Sequence, residues 1–142
     1  IFNEDYDEPD YKVEILGSDM SQEAIDIAKE NIVNCGLKNK INLQVKAIEE
    51  LVPPKTEDGI VITNPPYGER LKKDDIESFY KLIGDRLKES FVGYNVWILS
   101  NNFDAIKNIG LRTSNTHILF NGALECKFLN YSMYDGSKKT TK

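Results

Sequence analysis

Apolar and polar positions alternate with two periods along this chain, and the switches between them outline its elements. In "YKVEILGSDM" Val13, Ile15 and Gly17 alternate with Lys12, Glu14 and Leu16, the period-two pattern of a half- or fully buried strand. Ser21 then caps a predicted helix with Gln22 and Glu23 in its first turn. Ile25, Ala28, Ile32 and Cys35 share one face of it, and Gly36 supplies the stop. "KINLQVKAI" is the next strand and "VPPK" ends it; "GIVIT" is wholly apolar, the kind of short strand covered on both faces. A helix is predicted over roughly 75–89, a strand in "NVWILS", a short helix from Phe103 and a further strand after Arg112. "THILFNGALECKFLNYSMY" reads as two strands joined at Asn121-Gly122, a strong hairpin signal.

The resulting order, β-α-β-β-α-β-α-β-β, belongs to the α/β class: a mostly parallel sheet with helices on both faces and a terminal antiparallel hairpin. Residues 1–11 are acidic, broken by Pro9, and read as a linker; 136–142 read as a disordered polar tail. Ligands of such sheets bind beyond the carboxyl ends of the strands, where Asp19 and Asn64 lie.

Composition narrows the function classes. With 142 residues, 40% hydrophobic and 29% charged, the chain has the length and balance of one globular domain. No apolar run approaches the ~20 residues that span a bilayer, so no membrane is expected as a partner. The first residue is Ile1, which points to a fragment or a processed product. Cys35 and Cys126 lack metal-ligand spacing and have only His117 for company, so no metal is expected. Both read as buried thiols in a reducing compartment, in keeping with a cytoplasmic location. His117 reads as structural, and Tyr94 and Trp97, which flank a buried strand, read as core. The net charge of −5 advertises no nucleic acid, so any such affinity needs a local patch or another domain.

The chemistry concentrates in "ITNPPYGERL". Each proline fixes its own φ and biases its predecessor away from helix, so Asn64-Pro65-Pro66-Tyr67 is held extended with little entropy left to lose. The Asn64 oxygen and the Pro65 carbonyl form a fixed pair of acceptors for the two hydrogens of a planar NH2. Tyr67 offers a face on which a flipped-out base can stack, worth ~1–3 kcal/mol. A purine amine is a poor nucleophile because its lone pair is delocalised. Hydrogen bonds from its N–H groups can draw the nitrogen toward tetrahedral geometry and aim the lone pair at an electrophilic methyl. The blander alternatives are a rigid strand-to-loop turn for the tetrad and an acid favoured by a helix N-terminus for Asp19.

The segment "ITNPPYGERL" resembles the catalytic motif of class I S-adenosyl-L-methionine-dependent methyltransferases that modify exocyclic amines. With "GSDMSQEAIDIAKENIVNCGL" and "NGALEC", it resembles the bacterial large-subunit rRNA guanine-N2 methyltransferases, also labelled N6-adenine-specific DNA methylases. The resemblance implies a Rossmann-like methyltransferase sheet, S-adenosyl-L-methionine as cofactor and 23S rRNA guanine N2 as the target. Adenine N6 in RNA or DNA is the alternative, and a non-catalytic interaction module or a nucleotide-dependent oxidoreductase are rivals from other classes. By position, Asp19 would bind the cofactor ribose and Met20 the adenine ring. Ala47 and Ile48 would meet the adenine edge through backbone, where relatives carry an Asp. Asn64 would serve both cofactor and base, Pro65, Pro66 and Tyr67 would hold the base, and Gly68 and Arg70 would contact substrate. The family's first strand, glycine-rich loop and RNA-binding THUMP module have no counterpart here: no G-x-G occurs. Residues 1–142 therefore read as the C-terminal part of one methyltransferase domain. Such a part is expected to bind cofactor weakly or not at all, and to self-associate through sheet edges beside the absent central strand.

Overall fold

The computed structural model describes residues 13–134; the expected linker and tail lie outside them. The chain divides into two compact units, Ile1–Leu51 and Val52–Lys142.

In the first unit, β1 (Ile15–Asp19) runs parallel to β2 (Ile41–Val45), joined by α1 (Gln22–Asn34), and a 3-10 turn, Ile48–Glu50, follows. Ser21 starts α1 as expected: its hydroxyl accepts from the Ala24 amide at 3.2 Å. The buried face is narrower than the periodicity predicts. Ile25 is buried, Ala28 and Ile32 only partly, and Cys35 is exposed, which corrects its reading as a buried thiol. The strand before α1 is also shorter and wetter than expected, with Val13 and Ile15 exposed. A two-stranded sheet has too little surface to cover every apolar position that periodicity assigns to it.

The second unit holds β3 (Gly59–Thr63), α2 (Lys73–Ser90), β4 (Tyr94–Ser100), α3 (Phe103–Ile106) with a 3-10 turn at Lys107–Ile109, β5 (Asn115–Asn121) and β6 (Leu124–Ser132). The sheet order is β3-β4-β6-β5, with β3 and β4 parallel and the hairpin strands antiparallel. The α/β class and the mixed sheet agree with the sequence reading.

The core of this unit lies on one side of its sheet. Ile76, Tyr80, Ile83, Gly84 and Leu87 are the buried stripe of α2. Along β4, buried Tyr94, Val96, Ile98 and Ser100 alternate with less covered Asn95, Trp97 and Leu99. Register places Ile60 beside Asn95 and Ile62 beside Trp97, on the face away from that core. They are 69% and 72% exposed, so β3 is covered on one face and not on both. Tyr94 is a core residue as expected. Trp97 is only partly buried, stacked against Phe128 at 4.8 Å and His117 at 6.0 Å.

The hairpin turns one residue later than Asn-Gly chemistry predicts. Asn121 pairs with Leu124 as the last rung, so Gly122 and Ala123 are the central residues. Gly122 has φ +61, as a type II′ turn demands of its first central position. Asn121 is thereby kept in the strand, with its side chain available for other work.

Tyr131, buried on β6, has its hydroxyl pushed up to about 12 by burial. A raised phenol pKa adds stability that is complete below the unfolded value near 10 and is lost as pH climbs toward 12. Urea midpoints should therefore fall between pH 9.5 and 11.5 by more in the native protein than in Tyr131→Phe. Equal declines would show that this phenol carries no pH dependence.

Candidate active site

The tetrad leaves the carboxyl end of β3 beside the carboxyl end of its parallel neighbour β4. Asn64 is exposed, Pro65 buried, Pro66 exposed and Tyr67 half-buried. Two successive carbonyls of this loop are pinned from behind. The Tyr80 hydroxyl donates to the Pro66 carbonyl at 3.1 Å and lies 2.6 Å from the Ser100 hydroxyl. The Asn102 amide nitrogen Nδ2 donates to the Tyr67 carbonyl at 2.8 Å. No hydrogen bond to the Pro65 carbonyl is present among the described residues. Of the carbonyls at 65, 66 and 67, it is the one that no protein group engages among the described residues.

The Tyr67 side chain is held by the hairpin. Its hydroxyl lies 3.8 Å from the Cys126 sulfur and 3.5 Å from Asn121 Nδ2. The Cys126 thiol donates onward to the Leu124 carbonyl at 3.6 Å. Burial pushes the Tyr67 phenol above its ordinary range and Cys126 adds to this, while hydrogen bonds from Asn121 and Asn64 pull the other way. The net shift is upward, so the phenol gives up its proton less readily than an exposed one. Buried Cys126, read from sequence as packing, thus also touches the site.

Gly68 turns the chain with φ +94, and a Cβ there would sit 3.0 Å from Ile76 Cγ1. Arg70 is exposed; with Pro66, Tyr67, Gly68, Glu69, Leu71 and Leu124 it lines an open cleft of about 440 Å³. The expected substrate residues Tyr67, Gly68 and Arg70 thus share one surface.

The other expected ligand residues lie in the first unit, at the carboxyl end of its parallel sheet. Asp19 ends β1 and accepts from the Ser21 amide at 2.8 Å through Oδ1. Its second carboxylate oxygen has no partner among the described residues. Met20 is 77% exposed. The Lys46 amide donates to the Asp19 carbonyl at 3.0 Å, which draws the end of β2 alongside. Ala47 and Ile48 follow, both partly buried, but the Ala47 amide already donates to Glu50 Oε2 at 3.2 Å. A backbone contact to an adenine edge through that amide would require Glu50 to yield.

Sequence reasoning missed Tyr80, Ser100 and Asn102 and read Asn121 only as a turn residue. The signal available was "SNN" closing an apolar strand parallel to the one before the tetrad. Among the described residues, no cluster is arranged to hold a metal and no helix is long and apolar enough to cross a membrane.

A family model described as UPF0020, RMKL-like, methyltransferase domain, matches residues 3–130. The ribosomal RNA large subunit methyltransferase K/L of Methylococcus capsulatus is 40% identical over 122 residues, which cover 84% of this chain and 16% of that protein. The crystal structure of SMU.472 complexed with SAH superposes with TM-score 0.82 at 25% identity, over 91% of this chain and 34% of that one. A predicted N6-adenine-specific DNA methylase from Listeria monocytogenes gives TM-score 0.70 at 26% identity, over 84% and 30%. The chain thus spans about a sixth of the curated relative and about a third of each solved chain. Motif, mixed sheet and family match agree: this chain belongs to the RMKL-like methyltransferase domain family.

Proposed function

We propose that the full-length protein transfers a methyl group from S-adenosyl-L-methionine to the exocyclic N2 of a guanine in 23S rRNA, in the cytoplasm. One observation carries this reading: the loop after β3 exposes Asn64 and leaves the Pro65 carbonyl without a protein partner among the described residues, while the next two carbonyls are tied back. Such a pair accepts both hydrogens of an NH2 group. The curated relative's description as an rRNA methyltransferase supports RNA as the substrate.

The residues of the first unit fit the cofactor. Asp19 keeps one carboxylate oxygen for ribose hydroxyls, and the exposed Met20 thioether offers a soft wall for an adenine ring. When bound, the cofactor supplies a methyl group on a sulfonium, electrophilic without any metal. Asn64 and the Pro65 carbonyl would localise the amine lone pair and orient it. Tyr67 would stack on the base, and Arg70 would meet a phosphate at the cleft. A new N–C bond forms as the C–S bond breaks, and the surplus proton leaves to water. No general base is required.

Adenine N6 is the second reading, favoured by the Listeria methylase that shares the fold. Mass analysis of nucleosides from 23S rRNA and from adenine-rich DNA, each incubated with the protein and cofactor, separates the two. N2-methylguanosine in rRNA alone is expected. N6-methyladenine in either polymer would replace the guanine assignment, and no methylation with intact cofactor binding would favour a non-catalytic module.

A further inference from the structure

The buried polar side chains behind the tetrad have no part in gripping a base, yet they are among the least solvated polar groups of the second unit. Tyr80 and Ser100 are fully buried. Polar atoms in such places are retained at a cost unless their hydrogen bonds are complete. Here the proton arrangement is determined. Tyr80 has one hydroxyl hydrogen, and the Pro66 carbonyl can only accept, so that hydrogen is committed to Pro66. Ser100 must then donate to the Tyr80 oxygen, and its own oxygen accepts from the Asn102 amide at 3.1 Å. Asn102 closes the chain: its Nδ2 donates to the Tyr67 carbonyl, and its Oδ1 accepts from the Ala105 backbone amide at 2.9 Å. Each of these hydrogen bonds has one direction, and the relay ends on two carbonyls, those of the Pro66–Tyr67 and Tyr67–Gly68 peptides.

We infer that Tyr80, Ser100 and Asn102 are positioning residues: a relay that fixes the Pro66–Tyr67 and Tyr67–Gly68 peptide planes and so anchors the loop from which Asn64 and the Pro65 carbonyl meet the ligand. Its service to catalysis rests on the methyl-transfer reading above; its mechanical effect on the loop does not. Prolines fix φ, and Pro66 holds Pro65 extended, but ψ at Pro66 and Tyr67 is set by no proline; the relay selects it by pinning their carbonyls.

Two variants test this in the full-length protein. Tyr80→Phe removes the hydroxyl and keeps the ring that fills the core. Asn102→Asp removes the donor to Tyr67 and keeps the oxygen that caps α3. Hydrogen exchange should quicken at the amides of residues 67–71 in both, with β4 amides protected as before. The methylation kcat should fall about tenfold to a hundredfold while the cofactor KM is unchanged, as expected of misplaced reacting groups. Unchanged loop exchange in both variants would overturn the inference, as would exchange that quickens across β4 as well, the mark of a merely structural role. A loosened loop with undiminished kcat would overturn its service to the reaction. Asn64→Ala, assayed alongside, separates the two claims: full activity there would sink the methyl-transfer reading, while the exchange data still judge the clamp.

Discussion

Asn64→Ala in the full-length protein should lower methyl transfer by on the order of 10²–10³-fold, the range seen when one preorganised polar contact to a reacting group is deleted. The loss should fall on kcat. The substitution removes an acceptor that matters most when the amine becomes tetrahedral, so ground-state affinity should change little. Cofactor affinity, measured by calorimetry, should stay within about threefold, because Asp19 and Met20 carry the expected contacts in the first unit. Asn64 is exposed and its loop is held through Pro66 and Tyr67, so the fold should persist. Parallel loss of cofactor binding and transfer in a folded variant would argue against a grip on the amine.

Gly84→Ala should give the largest loss of stability for the smallest change of mass. In the interior of α2 an alanine would ordinarily gain about 1 kcal/mol in helix propensity. Here the added Cβ would lie 1.8 Å from the Ile109 carbonyl oxygen and 2.7 Å from its carbon. That neighbour is backbone, fixed in the 3-10 turn Lys107–Ile109, and Ile109 is itself buried. It cannot rotate aside as a side chain would. Either α2 or the turn must shift, and overpacking of this kind costs about 1–3 kcal/mol beyond the propensity gain. Urea unfolding should show a net loss of roughly 2 kcal/mol. A stabilised variant would show that the helix and the turn are free to separate.

How legible the site was depended on the range of its interactions. Short-range patterns were readable: the Ser21 cap, the helix over roughly 75–89, the strand in "NVWILS" and the hairpin follow from neighbours a few residues apart. The tetrad was readable because its rigidity is written into consecutive prolines. What holds the tetrad was not, since Asn102 reaches Tyr67 across 35 positions and Tyr80 reaches Ser100 across 20. Periodicity registers Tyr80 only as another core position of α2; its hydroxyl acquires a role once β4 lies beneath it. Asn121 illustrates the same limit locally. Asn-Gly chemistry predicts a turn residue, but the strand register shifts the turn by one and aims its amide at Tyr67. The burial errors have a different origin. Cys35, Ile60 and Ile62 sit at positions that periodicity marks as buried, and the described residues supply no layer to cover them.

In the proposed reaction the amine is held between the Asn64 side-chain oxygen and the Pro65 carbonyl. A co-crystal of the full-length protein with S-adenosylhomocysteine and an rRNA hairpin that carries the target guanine tests it most directly. The guanine N2 should lie about 3 Å from both oxygens with its ring against Tyr67. A guanine seated in the cleft with N2 bonded elsewhere, and Asn64 turned away from it, would contradict the account.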